Sequence, residues 1–484
     1  MLSLITIVAA VFLGALDQTV IVTVLPAVVV DLQIPFDRID QAAWIVSGYL
    51  LGYTVSLPVM GRFSDLRGRR LGLAIAMTAF SIGSAGCAVA GSLGLLVIAR
   101  VVQAAGGGAL LPIGIAAVSD RFPMSRRPLA IGLVGAVAEA GGVLGPLYGA
   151  GIVSWLNWRW IFWINIPLAL LLLGGALLGP ADAPRRPGKL DLIGAAAIAV
   201  ALGCLILAVS HNTIEVAGID ARPVLAVLAA VALGVFCWHE LRVADPLLDP
   251  RLLRQAGLAA ALIGGAILGI TLIVAMVDVP LYAATVRGAS AADGGLLLMR
   301  LTGLIPFGAI LGGLIGTRYG LAIPTGLGFL ATSGGLAMMS NWGQAPSNSY
   351  FWISLGLAGL GFGLLIPPLS TSAVNLGGVG REASAAAMFT VARLVGMTIG
   401  LAALTAWGLK RFDDLAGVIP LPLPQVGDTA AIAQQRVADF DAAMLVAGAE
   451  VYREIFLVGA VVGLLGLGVI RWLWSSESNR SLAR

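Results

Sequence analysis

Charged residues are scarce in this sequence: they make up 11% of its 484 positions, whereas 59% are hydrophobic. A soluble domain carries about 25% charged residues, so this chain has too few to cover the surface of a soluble fold of its size. A lipid bilayer removes that requirement, because side chains that face lipid are apolar. The composition therefore predicts an all-α, multi-pass membrane protein whose helices pack closely through its 64 glycines.

Residues that support enzyme chemistry are also few. The two histidines and three cysteines lie apart, without metal or disulfide spacing. Neither Lys189 nor Lys410 lies in a phosphate-binding G-x-x-x-x-G-K-[ST] loop, and no group of nucleophile, base and acid is visible. We therefore expect no enzyme activity, no ATP hydrolysis and no metal or other cofactor. Nucleic-acid binding is not indicated either, because the basic residues are spread over short loops.

Fourteen apolar stretches are long enough to cross a bilayer, which takes about 20 residues. The first stretch is longer than a signal-peptide core of about 7–15 residues, so we expect it to be retained as a span. The predicted spans cover residues 3–32, 41–61, 71–91, 93–119, 128–153, 161–179, 191–211, 220–240, 257–286, 289–316, 321–342, 350–375, 383–410 and 451–474.

The distribution of basic residues predicts the orientation of these spans. With the N-terminus in the cytoplasm, 18 Lys and Arg residues fall in cytoplasmic segments, 8 fall outside and 3 lie within spans. This bias follows the positive-inside rule and predicts that both termini are cytoplasmic. One external segment, at about 411–450, is much longer than the other external loops. Its Ala-rich second part predicts a helix rather than a disordered loop.

The second and third spans are joined by a glycine- and arginine-rich string, Gly61-Arg-Phe-Ser-Asp65-Leu-Arg67-Gly68-Arg69-Arg70. Its acid suits a helix N-terminus, where the helix dipole favours an anion. The string resembles motif A of the major facilitator superfamily, whose acid helps to latch the cytoplasmic gate. A second copy at residues 313–320 has Thr317 in place of the acid, and two copies imply two homologous halves. The residues that match motif A are Gly61, Asp65, Arg67, Gly68 and Arg69.

A second glycine series lies in the fifth span, with a proline that we expect to act as a hinge. Glycines four residues apart leave a smooth groove for a neighbouring helix, and ordinary small-residue packing is the alternative interpretation. The series resembles motif C of the antiporter branch of the superfamily. The strings at residues 16–26 and 158–167 resemble signatures of drug:proton antiporters and of their fourteen-span branch. The residues of the motif C series are Gly141, Gly145, Pro146 and Gly149.

The resemblance covers residues 14 to about 410 and implies a division of the chain. We expect an N-terminal six-helix half (1–180), a segment with two inserted helices (181–256), and a C-terminal six-helix half (257–474). The external extension at 411–450 belongs to the second half, and a short cytoplasmic tail (475–484) follows.

Ionisable residues within spans are the candidate functional residues, because each costs at least about 2.5–3.5 kcal/mol in a bilayer. Asp17 and Glu139 lie near the middle of the first and fifth spans, and Arg393 lies in the thirteenth. An acid in an apolar interior can exchange protons while a nearby arginine stays charged, so we expect these three residues to couple transport to protons. Secondary intramembrane charges are Arg100, Asp278 and Arg300. The alternative is that such charges form static ion pairs.

The transported cargo is predicted from short local strings. Several strings, including those at residues 14–17, 277–279 and 403–409, resemble a mycobacterial lipid-exporting branch of the superfamily. That resemblance implies proton-coupled export of triacylglyceride-like lipid from the bacterial inner membrane by alternating access, with a periplasmic lipoprotein as partner. We expect the chain to act as a monomer. Two alternatives stay open: a multidrug/proton antiporter for amphipathic compounds, and a non-transporting membrane scaffold or sensor that docks a partner through 411–450.

Overall fold

The molecule is helical along most of its length. The structure is a computed structural model that describes residues 2–34, 41, 44–178, 188–209, 215–216, 219–243, 245–247, 251, 254–289, 291–343, 346–378, 380–423 and 430–472. Its helices are α1 (Leu2–Asp31), α2 (Trp44–Arg67), α3 (Arg69–Ala88), α4 (Leu93–Arg121), α5 (Arg127–Trp155), α6 (Arg159–Leu177), α7 (Leu192–Val209), α8 (Arg222–Glu240), α9 (Ala256–Thr285), α10 (Ala291–Thr302), α11 (Ile305–Tyr319), α12 (Ala322–Met339), α13 (Asn348–Leu376), α14 (Glu382–Ala416) and α15 (Ala430–Leu465).

The predicted multi-pass helical fold is confirmed. Within the described residues, thirteen helical segments are long and apolar enough to cross a membrane, and Leu192–Leu205 in α7 adds a shorter apolar helix. The predicted tail at 475–484 and most of the link at 180–190 lie outside the described residues. The residue boundaries of the halves stay predictions.

Helix packing follows the same plan in each half. In the first half, α1 packs on α5, α2 and α3 pack on α4, and α3 packs on α6. In the second half, α9 packs on α14, α11 and α12 pack on α13, and α12 packs on α15. The inserted helices α7 and α8 pack mainly on each other, and α7 reaches the rest of the bundle through α2 and, less extensively, through α14. A bundle of two similarly built halves with an inserted pair agrees with the sequence prediction.

The span predicted at 289–316 is two helices. It breaks after Thr302, and α11 starts at Ile305 with Pro306 in its first turn. Proline has no backbone N–H for a bond to the residue four positions earlier, so it is tolerated at a helix start but not in the interior. A second feature missed by the sequence reasoning is a short antiparallel pair between α7 and α8. It consists of β1 (Glu215–Val216) and β2 (Ile219–Asp220).

The last two long helices account for the predicted external extension. The helix α14 has 35 residues and α15 has 36, so at about 1.5 Å per residue each is more than 50 Å long. The hydrocarbon core of a bilayer is about 30 Å thick. The external segment predicted at about 411–450 is therefore largely a continuation of both helices, in agreement with the helix predicted for its Ala-rich second part. The Arg411 guanidinium on α14 bonds to both carboxylate oxygens of Glu454 on α15, at 3.0 and 2.9 Å.

The two ends of the bundle differ in structure. The latch end is the end at which α2 passes into α3 at Gly68, and it also holds the N-terminus of α14. The far end is the opposite one, at which α14 and α15 extend beyond the bundle. The sequence prediction of orientation places the latch end in the cytoplasm.

Candidate functional site

Asp17 lies at the centre of a buried polar network between α1, α4 and α6. Its carboxylate accepts hydrogen bonds from Arg100 Nη1 at 2.8 Å, from Gln103 Nε2 at 2.9 Å and from Asn165 Nδ2 at 2.6 Å. All four of these side chains are 0% exposed. A buried charge is tolerated when it is paired and hydrogen-bonded, and Asp17 meets both conditions.

Aromatic rings cover the arginine of this network. The guanidinium carbon of Arg100 lies 4.0 Å from the ring centre of Tyr49 and 5.8 Å from that of Phe162. A desolvated guanidinium over an aromatic face gains about 2 kcal/mol or more. Gln103 extends the network by donating to Ser84 Oγ at 2.8 Å. The Asp17 network is therefore a sealed charge pair that contributes to the core of the first half.

Glu139 and Arg393 form the second charge pair, and this pair joins the two halves. Arg393 Nη1 on α14 donates to Glu139 Oε1 on α5 at 3.0 Å. The two side chains are 21% and 16% exposed, in contrast to the sealed Asp17 network. Each lies about 17 Å along its helix from the latch end, which is near the bilayer centre. Loss of the bond between Arg393 and Glu139 would remove one contact between α5 and α14.

The sequence singled out Asp17, Glu139 and Arg393 as candidate coupling residues but did not predict their pairing. Asp17 pairs with Arg100, which had been placed among the secondary charges, and Arg393 pairs with Glu139. The reasoning also missed Gln103 and Asn165 as Asp17 partners. Gln103 lies three residues after Arg100 on the same helix face, so its position carried a usable signal. Asn165 is a polar residue within the apolar α6, which is a weaker signal.

The motif C glycines hold α1 against α5 and thereby position both acids. A Cβ atom added to Gly141 would lie 2.7 Å from the Phe12 carbonyl, and one added to Gly145 would lie 2.7 Å from the Leu16 carbonyl. One added to Gly149 would lie 2.9 Å from the Val20 carbonyl. Small residues that allow backbones to approach closely are typical of membrane helix interfaces. These glycines allow the backbones of α1 and α5 to approach closely.

Pro146 interrupts the hydrogen bonding of α5 without ending the helix. Proline lacks the N–H that would bond to the carbonyl of Gly142, four residues earlier. The Thr19 hydroxyl of α1 donates to that carbonyl at 2.8 Å, and the Thr23 hydroxyl lies 3.2 Å from the Pro146 carbonyl. Thr19 of α1 thus supplies a donor to the Gly142 carbonyl, which Pro146 leaves without its usual donor within α5. The hinge role of Pro146 stays a prediction.

Asp65 of the motif A string binds the N-terminus of α14, in the other half. Its carboxylate accepts from the backbone N–H groups of Ala383 at 3.0 Å and Ser384 at 2.8 Å, and from the Ser384 hydroxyl at 2.6 Å. The first N–H groups of a helix have no partner within the helix, and the helix dipole favours an anion there. The sequence predicted an acid at a helix N-terminus, and the helix in question is α14.

Other motif A residues support this latch in different ways. Arg69 contacts Asp65 and also bonds to Asp120 at 2.9 Å and to Glu382 at 3.1 Å, the latter across the halves. A Cβ at Gly61 would lie 3.0 Å from the Ala383 carbonyl, so glycine there allows α2 and α14 to meet.

The other two motif A residues, Gly68 and Arg67, make no latch contact with the residues that the structure describes. Gly68 has a φ of 106°, a backbone conformation that favours glycine, and it makes the turn between α2 and α3. Arg67 is exposed.

Among the described residues, the second motif A copy makes no contact equivalent to the Asp65 latch. The Thr317 hydroxyl donates to the carbonyl of Gly313 within its own helix, at 2.7 Å. The helices α11 and α5 meet instead by direct backbone packing, since a Cβ at Gly313 would lie 2.7 Å from the Pro128 carbonyl. Nearby, Arg127 Nη1 donates to Asn375 Oδ1 at 3.0 Å across the halves. The latch end is therefore closed by polar contacts on both sides.

The remaining secondary charges lie apart from these pairs. Arg300 is half-buried, donates to Asn348 Oδ1 at 2.7 Å and lies 5.0 Å from the ring centre of Trp352. Asn348 is the first residue of α13, so Arg300 lies towards the far end and not in a buried ion pair with an acid. Asp278 lies on α9 in an apolar cavity, away from Asp17 and Glu139.

The inserted helices carry a polar cluster at their latch-end termini. Asp191 accepts from the backbone N–H groups of Ile193 and Gly194 at 3.1 and 3.0 Å, and thus caps α7. The His239 Nε2 atom of α8 lies 3.0 Å from the same carboxylate. Burial favours a higher pKa for Asp191, but the bonds from Gly194 and His239 outweigh it and hold the pKa below its usual range.

Two similarly packed helical halves, charges buried within the membrane span and a polar latch between the halves define a membrane transport protein. The chain belongs to the Major Facilitator Superfamily, whose sequence model matches residues 7–401. It is thus a multi-pass membrane transporter and not an enzyme.

Several relatives are close enough to compare in sequence along nearly the whole chain. The triacylglyceride transporter of Mycolicibacterium smegmatis is 33% identical, over 94% of this chain and 84% of that protein. A probable triacylglyceride transporter of Mycobacterium leprae is 35% identical, over 94% and 93%. Among solved structures, the human organic anion transporter MFSD10 is similar with a TM-score of 0.59 at 15% identity, over 97% and 99% of the two chains. That structural likeness supports the fold alone.

Proposed function

We propose that the chain is a proton-coupled exporter of triacylglyceride-like lipid in the bacterial inner membrane. The observation that carries the proposal is the ion pair between Glu139 and Arg393, because it joins the two halves and is partly exposed. A carboxylate that exchanges a proton at this position changes the contact between the halves directly. The names of the mycobacterial relatives support the lipid cargo.

The proposed coupling follows from the chemistry of the pair. Arginine stays protonated in proteins, so only Glu139 can change its charge. While Glu139 is ionised, the charge-assisted bond holds α5 to α14. A proton on Glu139 removes the attraction, and Arg393 must find another partner or water as the halves move. Proton binding thus shifts the equilibrium between two conformations through a contact that one of them lacks.

The closed latch assigns this state within the proposed cycle. Asp65, Arg69 and Arg127 all bond across the halves at the latch end, which we propose faces the cytoplasm. We therefore assign the state as closed to the cytoplasm. The Asp17 network is sealed in this state, so we assign the exchange of protons here to Glu139 and expect Asp17 to become accessible when the latch opens.

A reconstituted transport assay tests the proposal. Proteoliposomes that contain radiolabelled triglyceride are given a pH gradient, and transfer to acceptor particles is measured over time. We expect transfer in the wild type and its loss in Glu139→Gln, Arg393→Gln and Asp17→Asn. Arg67→Ala is the matched control, because this exposed motif residue is outside the charge pairs. Gradient-driven extrusion of amphipathic dyes without triglyceride transfer would support the multidrug alternative and contradict the lipid proposal.

The extension of α14 and α15 is the proposed docking element for a periplasmic lipoprotein. It reaches about 20 Å beyond the hydrocarbon core. The segment that follows α14 at its tip exposes Val418, Leu421 and Leu423 by 80%, 68% and 66%. Exposed apolar groups of this size are typical of interaction sites. The triple substitution of these residues by serine should abolish transfer to a lipid-binding lipoprotein and leave gradient-driven conformational change intact. Unchanged transfer would contradict the docking role.

A further inference from the structure

A lateral cavity in the second half lies away from both charge pairs. It has a volume of about 360 Å³ and lies between α9, α14 and α15. Cavities that bind small ligands have volumes of roughly 300–1,000 Å³. Its lining is apolar except for three side chains, Asp278, Thr285 and Tyr452. We call it the lateral cavity below.

The position of the lateral cavity links the bundle to the extension. Asp278 lies seven residues before the far end of α9, which is about 10 Å along the helix. Phe412 and Gly448, at the base of the extension, also line the cavity. Leu281 and Leu409 of its lining are 46% and 63% exposed, so the cavity reaches the outer surface of the bundle. A lipid in the membrane therefore has a direct route into it.

Asp278 is the polar group that this cavity leaves for a ligand. The Thr285 hydroxyl donates to the Leu281 carbonyl at 2.7 Å and lies 3.1 Å from the Tyr452 hydroxyl, so these two side chains have partners. Asp278 makes no hydrogen bond or ion pair with any residue that the structure describes. Polar groups away from water are normally bonded, and an unpaired acid within a membrane span indicates function.

We propose that the lateral cavity binds a neutral acylglycerol, with an acyl chain along the apolar lining and an oxygen of the glycerol head group bonded to Asp278. A protonated carboxyl donates to an ester carbonyl of any acylglycerol, and an ionised one accepts from the free hydroxyl of a mono- or diacylglycerol. An anionic phospholipid head group does not suit a carboxylate. The inference rests on the proposed function, because neutral lipid is the proposed cargo.

Photo-crosslinking of the full-length protein in lipid nanodiscs tests the inference. The probe is a diacylglycerol with a diazirine in one acyl chain, and labelled peptides are mapped by mass spectrometry. We expect label on residues 273–285 and 448–455. Label only on peptides of α1 and α5 would overturn the proposal, since it would place the lipid in the interface between the halves.

Two pairs of variants make the test specific. Gly448 lines the cavity, and a Cβ there would meet only Val286 Cγ2 at 3.8 Å, so Gly448→Leu fills the cavity without a backbone clash. Gly295 is the matched control, because a Cβ there meets nothing within 4 Å and it does not line the cavity. We expect Gly448→Leu to lose the lateral label and Gly295→Leu to keep it. Equal labelling in both variants would refute the site.

The second pair tests the carboxyl group itself. Asp278→Asn keeps a donor and an acceptor, whereas Asp278→Leu removes both and leaves an apolar side chain of similar size. We expect labelling to fall about fivefold in Asp278→Leu, which corresponds to one net hydrogen bond, and to persist in Asp278→Asn. The melting temperature of Asp278→Leu should not fall, because an unpaired acid is removed. Equal labelling in both variants would overturn the role of Asp278.

The inference and the proposed function fail in different ways. Glu139→Gln should stop triglyceride transfer and keep the lateral label. A wild type that is labelled at the lateral cavity but transfers no triglyceride would contradict the proposed function and leave the site standing. A wild type that transfers triglyceride without lateral label would contradict the site alone.

Discussion

Substitution of Asp65 by asparagine tests the latch quantitatively. The carboxylate accepts two backbone N–H groups and one hydroxyl of α14, as well as Arg69. Hydrogen bonds to a charged group contribute about 1.5–3 kcal/mol each, and the charge itself interacts with the helix dipole. Asparagine keeps one acceptor oxygen but turns an NH₂ group towards the remaining donors. We therefore expect the closed latch to lose at least about 2 kcal/mol, or about 30-fold in the ratio of closed to open molecules.

Distances between spin labels on the two halves measure this change. Labels at Leu71 on α3 and Tyr319 on α11, both exposed near the latch end, report the separation by double electron–electron resonance. The three native cysteines are first replaced by alanine. We expect a single short-distance population in the protein without further substitution and a substantial longer-distance population in Asp65→Asn.

A control from the second motif copy accompanies this experiment. Thr317 occupies the position equivalent to Asp65 but bonds only within α11 among the contacts described, so Thr317→Ala should leave the distances unchanged. The latch argument is refuted if Asp65→Asn has the same distance distribution as its parent, or if Thr317→Ala opens the latch to the same extent.

Three further predictions concern packing, the Asp17 network and the inserted helices. Gly145→Ala places a Cβ 2.1 Å from Thr19 Oγ1 and should lower the stability of the fold by about 1–3 kcal/mol. Gly142→Ala is the control, because its Cβ would make only a 4.0 Å contact. Equal melting temperatures of these two variants would contradict the packing argument. Asn165→Leu removes a 2.6 Å bond to Asp17 and should lower stability by about 1.5–3 kcal/mol, measured by thermal unfolding in detergent. Asp191→Asn should destabilise the protein at neutral pH, because a carboxyl with a lowered pKa stabilises the fold only while it is ionised. The difference in stability from the wild type should therefore shrink as the pH falls below about 4. A difference that does not depend on pH would contradict this.

Apolar length and charge distribution were strong enough to predict the helical membrane fold. Fourteen long apolar runs leave few other folds for a chain with so few charges, because backbone groups in lipid must bond within helices or closed barrels. The break before α11 was missed, since the residues on both sides of Pro306 continue the apolar pattern of the predicted span. The continuation of α14 to Ala416 was missed because the polar residues after Lys410 were interpreted as the end of a span.

The acids of the candidate site could be predicted, but their partners could not. A charge in an apolar span stands out in the sequence, which is how Asp17, Glu139 and Arg393 were found. Pairing depends on how helices far apart in sequence pack, and Arg100 is 83 residues from Asp17. Asp65 was predicted to face a helix N-terminus, yet nothing local indicated that the helix begins 317 residues later, at Glu382.

The dependence of triglyceride transfer on the pH gradient is the most direct test of the proposed coupling through Glu139. Initial transfer rates are measured in proteoliposomes across a series of imposed gradients, with and without a protonophore, for the wild type and for Glu139→Gln. We predict a wild-type rate that rises with the gradient and falls to background with the protonophore, and a Glu139→Gln rate that stays at background at every gradient. A Glu139→Gln rate that rises with the gradient as in the wild type would contradict the account.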